Sequence, residues 1–164
     1  MILKQKLEKA INTQINAELW SAYLYLSMST YFESLNLSGF AHWMRVQAKE
    51  EIKHAMKFYD YIIERRGRVT VSAIAAVPIN WKSPLHAFEE AMKHEQKVTE
   101  LINNIMNMSI AEKDHATTSM LKWFVDEQVE EESSADTIIQ KLKMIGSNTG
   151  GLFMLNHELG ERKE

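Results

Sequence analysis

Residues 67–83, GRVTVSAIAAVPINWKS, separate two long stretches of similar character and set the topology of the chain. The segment begins with a glycine, contains Pro78 and is followed directly by Pro84, and these two residue types break helices most strongly. Its closest approach to a strand pattern is VTVSAI (69–74), and a single strand has no neighbour with which to pair. We therefore predict an extended connection here, in a chain without a sheet.

The stretches on either side of this connection contain few glycines and no internal proline, and they carry apolar residues at helical spacing. We expect four long helices and a weaker, shorter fifth. The predicted ranges are about 4–33, 38–66, 84–111, 115–145 and 149–160.

Residues that start and stop helices lie close to these bounds. Ser38 precedes the second helix, and Ser83-Pro84 offers the third helix a cap and a first-turn proline. Gly67 and Gly146 lie where the second and fourth helices are expected to end.

The connection lengths predict the arrangement of the helices. The gaps near 34–37 and 112–114 are short, so each joins two antiparallel neighbours. The segment 67–83 can reach about 56 Å when extended, which exceeds the roughly 45 Å length of a 30-residue helix. We therefore predict an all-α fold, a four-helix bundle with one long crossover between helices two and three and a short fifth C-terminal helix.

Size and charge limit the possible functions. The chain has 164 residues, no cysteine and a net charge of −3, so we expect one domain over 1–164 without disulfides, zinc–thiolate sites or iron–sulfur clusters. It has no basic tract, which argues against nucleic acid or an anionic membrane as a partner. No signal-peptide pattern and no membrane-length apolar run occur, so we expect a cytoplasmic protein.

Polar residues interrupt the apolar stripe of each long helix near its middle, where antiparallel helices meet at one height. They are Glu18 on the first helix, Glu51 and His54 on the second, Glu95 on the third, and Gln128 and Glu131 on the fourth.

A single glutamate at a stripe edge usually extends to water or pairs with lysine. Four carboxylates converging in one core are different, because unpaired buried anions repel one another and are strongly disfavoured. No lysine or arginine occupies the matching positions, so a pair of metal ions is the better explanation. Carboxylates with one imidazole and no sulfur suit iron or manganese. The spacing of Glu51 and His54 lets both bind one ion, and Glu51 could bridge two.

At this point the chain resembles the ferritins, specifically the non-haem bacterial kind. The matching stretches are NAELWSAYLYLSM (16–28), QAKEEIKHA (47–55), KHEQKVTE (93–100) and WFVDEQVEEE (123–132). The resemblance covers essentially the whole chain and includes the spacing between the motifs.

The resemblance implies a ferroxidase centre and assigns its residues. One iron would be held by Glu18, Glu51 and His54, and the second by Glu51, Glu95 and Glu131, with Gln128 beside it. A third iron would bind at Glu50, Glu127, Glu130 and Glu131, although Glu50, Glu127 and Glu130 could instead belong to a solvated charged face. Tyr25 matches a tyrosine next to the diiron centre, with ordinary core packing as the alternative.

Two positions distinguish this chain from related classes. Bacterioferritins and rubrerythrin-like proteins repeat Glu-x-x-His on the fourth helix, where this chain has Gln128-Val129-Glu130-Glu131. The methionine that binds haem in bacterioferritins would follow the bridging glutamate, and Ile52 stands there, so no haem is expected.

The resemblance therefore implies an iron-storage protein that oxidises Fe(II) with dioxygen or hydrogen peroxide. It would keep the ferric oxide mineral inside a hollow homo-oligomeric shell of 24 subunits, with the fifth helix at fourfold axes. Two alternatives stay open at this point: a small rubrerythrin-like diiron peroxidase without a storage role, and a purely structural bundle with a vestigial site.

Overall fold

The computed structural model describes residues 2–164, and this part of the chain forms five helices and no strand. They are α1 (Gln5–Ser34), α2 (Ser38–Glu64), α3 (Pro84–Ala111), α4 (His115–Ile145) and α5 (Thr149–Gly160). Helix α1 packs on α2 and α3 packs on α4, while α5 packs mainly on α2. The predicted all-helical fold is confirmed. The described helices are all too short or too polar to span a membrane.

The connection between α2 and α3 runs along α1 and so passes from one end of the bundle to the other. Polar side chains of α1 donate hydrogen bonds of 2.6–3.4 Å to its backbone carbonyls. The pairs are Asn12 with Arg68, Asn16 with Ala73, Trp20 with Ala76, and Ser27 with Pro78. The first three donors are four residues apart, so they share one face of α1 and the crossover follows that face.

The hydrophobic core consists of two clusters, one toward each end of the bundle. The cluster at the α1–α2 turn includes Phe32, Phe40 and Phe88 and also receives α5. The cluster at the opposite end includes Phe58 and Phe124. Each long helix passes from one cluster to the other at its middle, and a polar layer lies between them.

Side chains and one glycine define several helix ends. Ser83 Oγ accepts a hydrogen bond from the His86 N–H at 3.1 Å, and Pro84 occupies the first turn of α3, as predicted. Gly146 ends α4 with a positive φ of 54°, a conformation that favours glycine.

Helix α2 begins at the first residue of the predicted range, so Ser38 belongs to the helix and does not precede it. Ser38 is already helical, and the preceding residue, Leu37, has no side-chain acceptor. The acceptor is Asn156 of α5, whose Oδ1 receives the N–H groups of Gly39 at 2.8 Å and Phe40 at 3.2 Å. A Cβ at Gly39 would lie 1.6 Å from the Asn156 carbonyl oxygen, so the glycine is what allows α5 to approach.

The end of α2 also differs from the prediction. The helix ends at Glu64, and the residue with a left-handed conformation is Arg66, at φ 57°, rather than Gly67. Gly67 donates its N–H to the Ile62 carbonyl at 2.9 Å, which completes the turn. A Cβ at Gly67 would lie 2.6 Å from a carboxylate oxygen of Glu8 and 2.9 Å from Cγ2 of Ile62, so a larger residue would displace these side chains.

Candidate metal centre

Six polar side chains form the layer between the two apolar clusters, and each is only 1–6% exposed. The layer consists of Glu18, Glu51, His54, Glu95, Gln128 and Glu131. Every long helix contributes at least one of them from its middle. The structure thus brings the six polar interruptions of the predicted stripes to one level of the bundle.

Glu18, Glu51 and His54 form a compact group whose potential ligand atoms all lie within 4.8 Å of one another. His54 Nδ1 is 3.3 Å from Glu51 Oε2, as their spacing of one helical turn allows. Glu18 Oε1 accepts a hydrogen bond from Gln14 Nε2 at 2.8 Å, but the buried Glu18 Oε2 has no partner. A buried carboxylate oxygen without a donor is unfavourable, so this donor set fits a cation.

A second group shares the same imidazole. Potential ligand atoms of His54, Glu127 and Glu131 also lie within 4.8 Å of one another. Glu131 Oε2 accepts a hydrogen bond of 2.7 Å from Gln47 Nε2, which also donates to Glu51 Oε1 at 3.2 Å. Gln47 therefore connects the two groups through neutral hydrogen bonds.

Glu95 belongs to neither compact group, and side chains donate hydrogen bonds to its carboxylate. The Tyr25 hydroxyl donates to Glu95 Oε1, and Gln128 Nε2 donates to Glu95 Oε2 at 3.2 Å. Burial and the nearby charge of Glu95 raise the pKa of Tyr25 well above its ordinary value, so the phenol keeps its proton. Tyr25 is thus a hydrogen-bond donor to the layer as well as a core residue.

Burial raises the pKa values of the carboxyl groups in the layer, because removal from water favours the neutral acid. The pKa values of Glu18 and Glu51 lie well above the ordinary range, with neighbouring carboxylates adding to the effect of burial. The pKa of Glu95 is also raised by burial, although two hydrogen bonds oppose the shift. Burial and the charge of Glu95 raise the pKa of Glu131 to about 7. Binding of divalent cations would therefore release protons from this layer.

Two buried glutamines that are absent from the predicted site, Gln14 and Gln47, orient its carboxylates. Each lies four residues before a predicted ligand, Glu18 or Glu51, and so on the same face of the same helix. That spacing is the signal in the sequence by which they could be found.

His94 was also absent from the predicted site. Its Nε2 lies 2.7 Å from Ser21 Oγ, and its ring packs between those of Trp20 and Tyr25. Burial lowers its pKa to about 4, so the imidazole is neutral. The His94 ring thus packs against Tyr25, whose hydroxyl donates to Glu95.

The remaining residues predicted for a third iron differ in burial and in the groups that they contact. Glu127 is half-buried beside His54, and Glu130 is exposed. Glu50 forms an ion pair of 2.6 Å with Arg162, in the segment that follows α5.

Comparisons with known proteins give a consistent result. A family model described as a ferritin-like domain matches residues 8–145. A bacterial non-heme ferritin from Bacteroides fragilis is 47% identical over 161 residues, covering 98% of this chain and 100% of that protein. An open pore ferritin from the hyperthermophilic archaeon Archaeoglobus fulgidus superposes with a TM-score of 0.98 at 50% identity, covering 98% of this chain and 99% of that one. A closed form of that ferritin, engineered by site-directed mutagenesis, superposes with a TM-score of 0.97 and covers 98% of each chain.

Proposed function

Because the chain belongs to the ferritin family of iron-storage proteins, we propose that it oxidises Fe(II) at a two-iron centre in the middle of its own bundle. The observation that carries this proposal is the buried layer in which carboxylates and one imidazole converge while Glu18 Oε2 has no partner. Metal ions would supply the positive charge that the layer lacks.

The two ions would meet different surroundings. Glu18, Glu51 and His54 already lie together and would hold the first Fe(II) with little rearrangement. Glu51, Glu95 and Glu131 would hold the second. Both Glu95 oxygens accept hydrogen bonds, and each keeps a lone pair with which it could bind that ion.

The ligands favour oxidation because carboxylates are hard oxygen donors and stabilise Fe(III) relative to Fe(II). Two Fe(II) ions supply two electrons, and dioxygen takes up these electrons with two protons to give hydrogen peroxide. Peroxide can take two further electrons and two protons to give water. The Tyr25 hydroxyl and the Gln128 amide hold Glu95 in place during these steps.

Storage of ferric mineral requires a cavity, and a single bundle has none. We propose that copies of this chain assemble into a hollow shell of 24 subunits. Helix α5 supports this proposal, because Phe153 and Met154 are 72% and 76% exposed and would be buried against other subunits.

The test is aerobic loading of the apo-protein with Fe(II), compared with Glu51→Gln and Glu95→Gln. We expect each substitution to slow oxidation by about tenfold or more, because each removes an iron ligand. Glu100→Gln, an exposed glutamate on α3, is the matched control and should oxidise at the normal rate. Iron retained per particle is then counted after size exclusion.

The outcomes distinguish between the candidate functions and test the site. Hundreds of irons eluting with a large particle would support storage through this centre. Fast oxidation with about two irons retained per subunit would favour the rubrerythrin-like peroxidase. Equal rates in all three variants would show that the buried carboxylates are not the site of oxidation.

A further inference from the structure

Glu50 is one of the carboxylates predicted for a third iron, yet another group already binds it. Its Oε2 accepts a hydrogen bond from Arg162 Nη2 at 2.6 Å. The two side chains are 29% and 20% exposed, so water screens the pair only in part. The segment after α5 is thereby joined to the α2 surface, one residue from Glu51.

Arg162 is fixed on α2 by contacts that do not involve Glu50. Its guanidinium carbon lies 4.2 Å from the centroid of the Trp43 ring, and Nη1 donates to the Trp43 carbonyl at 3.3 Å. His42 Nε2 lies 2.8 Å from the Arg162 carbonyl oxygen. Trp43 and Glu50 are seven residues apart and share a face of α2. The contacts with Trp43 therefore hold the Arg162 guanidinium on the same face as the Glu50 carboxylate.

The other groups that could bind a third ion come together without Glu50. His54, Glu127 and Glu131 bring their ligand atoms within 4.8 Å of one another. Glu50 is nevertheless four residues before His54 on α2, so the two side chains lie on the same face of that helix. Glu50 therefore lies between two competing partners, a guanidinium on one side and an iron position on the other.

We propose that Arg162 withholds Glu50 from the third iron, so that this ion is bound weakly and exchanges readily while the pair is closed. The inference rests on the proposed iron-binding function. A charge-assisted hydrogen bond occupies one Glu50 oxygen, and the fixed guanidinium repels a cation that approaches the same carboxylate. Arg162 acts through Glu50 as a positioning residue and does not contact iron.

The test is an anaerobic calorimetric titration of the assembled apo-protein with Fe(II) alone. We expect Arg162→Gln to leave the two tighter ions unchanged and to strengthen binding of the third by about three- to tenfold, because one partly screened ion pair is removed. Arg162→Lys keeps the charge and should remain near the unaltered protein.

Lys141→Gln is the matched control. Lys141 pairs with Glu158 in the groove that Arg162 also lines, so this substitution removes one charge from the same region without releasing Glu50. It should leave the third ion unchanged. A sizing column run beside each titration establishes that every variant is assembled.

The role of Glu50 is isolated by repeating Arg162→Gln in a Glu50→Gln background, where we expect no gain in affinity. The proposal is overturned if Arg162→Gln leaves the third ion unchanged, weakens it, or strengthens it equally without Glu50. Absence of the two tighter ions in the unaltered protein would instead refute the two-iron centre.

Discussion

Neutral donors orient the carboxylates of the polar layer. Gln14 binds Glu18, and Gln47 binds both Glu51 and Glu131. An amide fixes the direction of a carboxylate without cancelling its charge, whereas a lysine or arginine would occupy the place of a metal ion. The carboxylates are therefore oriented without a protein cation in the place of a metal ion.

Glu131 makes the stability of the metal-free protein depend on pH. Its pKa is raised in the fold from 4.5 to about 7, so the folded state binds more protons than the unfolded state between these values. Stability therefore falls as the pH rises through this window. We expect Glu131→Gln to increase the free energy of unfolding by up to about 3 kcal/mol at pH 8, and by little at pH 4.

Thermal unfolding in chelator at the two pH values measures this difference, with Glu100→Gln as the control. An equal effect of Glu131→Gln at both pH values would contradict the origin in a buried carboxylate. With Fe(II) present the sign should reverse, because the variant loses a ligand.

The sequence predicts the six layer residues because each interrupts an apolar stripe. It predicts Gln14 and Gln47 only once Glu18 and Glu51 are identified as ligands, because each glutamine lies four residues before one of them, and it does not show that Gln47 also reaches Glu131 on another helix. The pairing of Glu50 with Arg162 is not visible in the sequence, because 112 residues separate the two partners.

At the scale of the helix, local signals determine most bounds and distant contacts determine the rest. Ser83 and Gly146 act within their own turns, so the sequence predicts the ends that they define. The start of α2 depends on Asn156, 117 residues from Gly39, and no local pattern reveals this acceptor. The sequence therefore places Ser38 near the start of this helix without revealing the group that caps it.

Asn156→Ala should loosen both helices that it joins. It removes the acceptor of two N–H groups at the start of α2, a loss of about 1 kcal/mol for a helix cap. Hydrogen exchange of the first-turn amides of α2 and of the amides of α5 should accelerate. Ser38→Ala is the control and should change neither, whereas faster exchange in that variant alone would show that Ser38 is the cap.

At the scale of the whole subunit, α5 lies at one end of the bundle and faces two ways. Leu155 and Leu159 are buried against the apolar cluster at the α1–α2 turn. Phe153 and Met154 point outward and are largely exposed. One face thus completes the subunit, and the other offers an apolar surface to a further copy.

Removal of residues 147–164 should weaken assembly of the shell, and Phe153→Asp with Met154→Asp should do so while keeping the buried face of α5 intact. Sedimentation velocity of the purified variants reports particle size. A full-size particle from both variants would show that α5 is not an assembly element. Asp136→Asn, an exposed change on α4, should assemble normally.

The crossover from α2 to α3 also affects how freely this protein can vary in sequence. The side chains of α1 that hold it bind its backbone carbonyls, and every amino acid presents the same carbonyl. Among its own side chains, Val71 and Ile79 are 81% and 72% exposed, whereas Val69, Val77 and Trp81 pack against the two apolar clusters. The exposed positions of the crossover can therefore accumulate substitutions over evolutionary time, or accept designed changes, while its path along α1 is inherited unchanged.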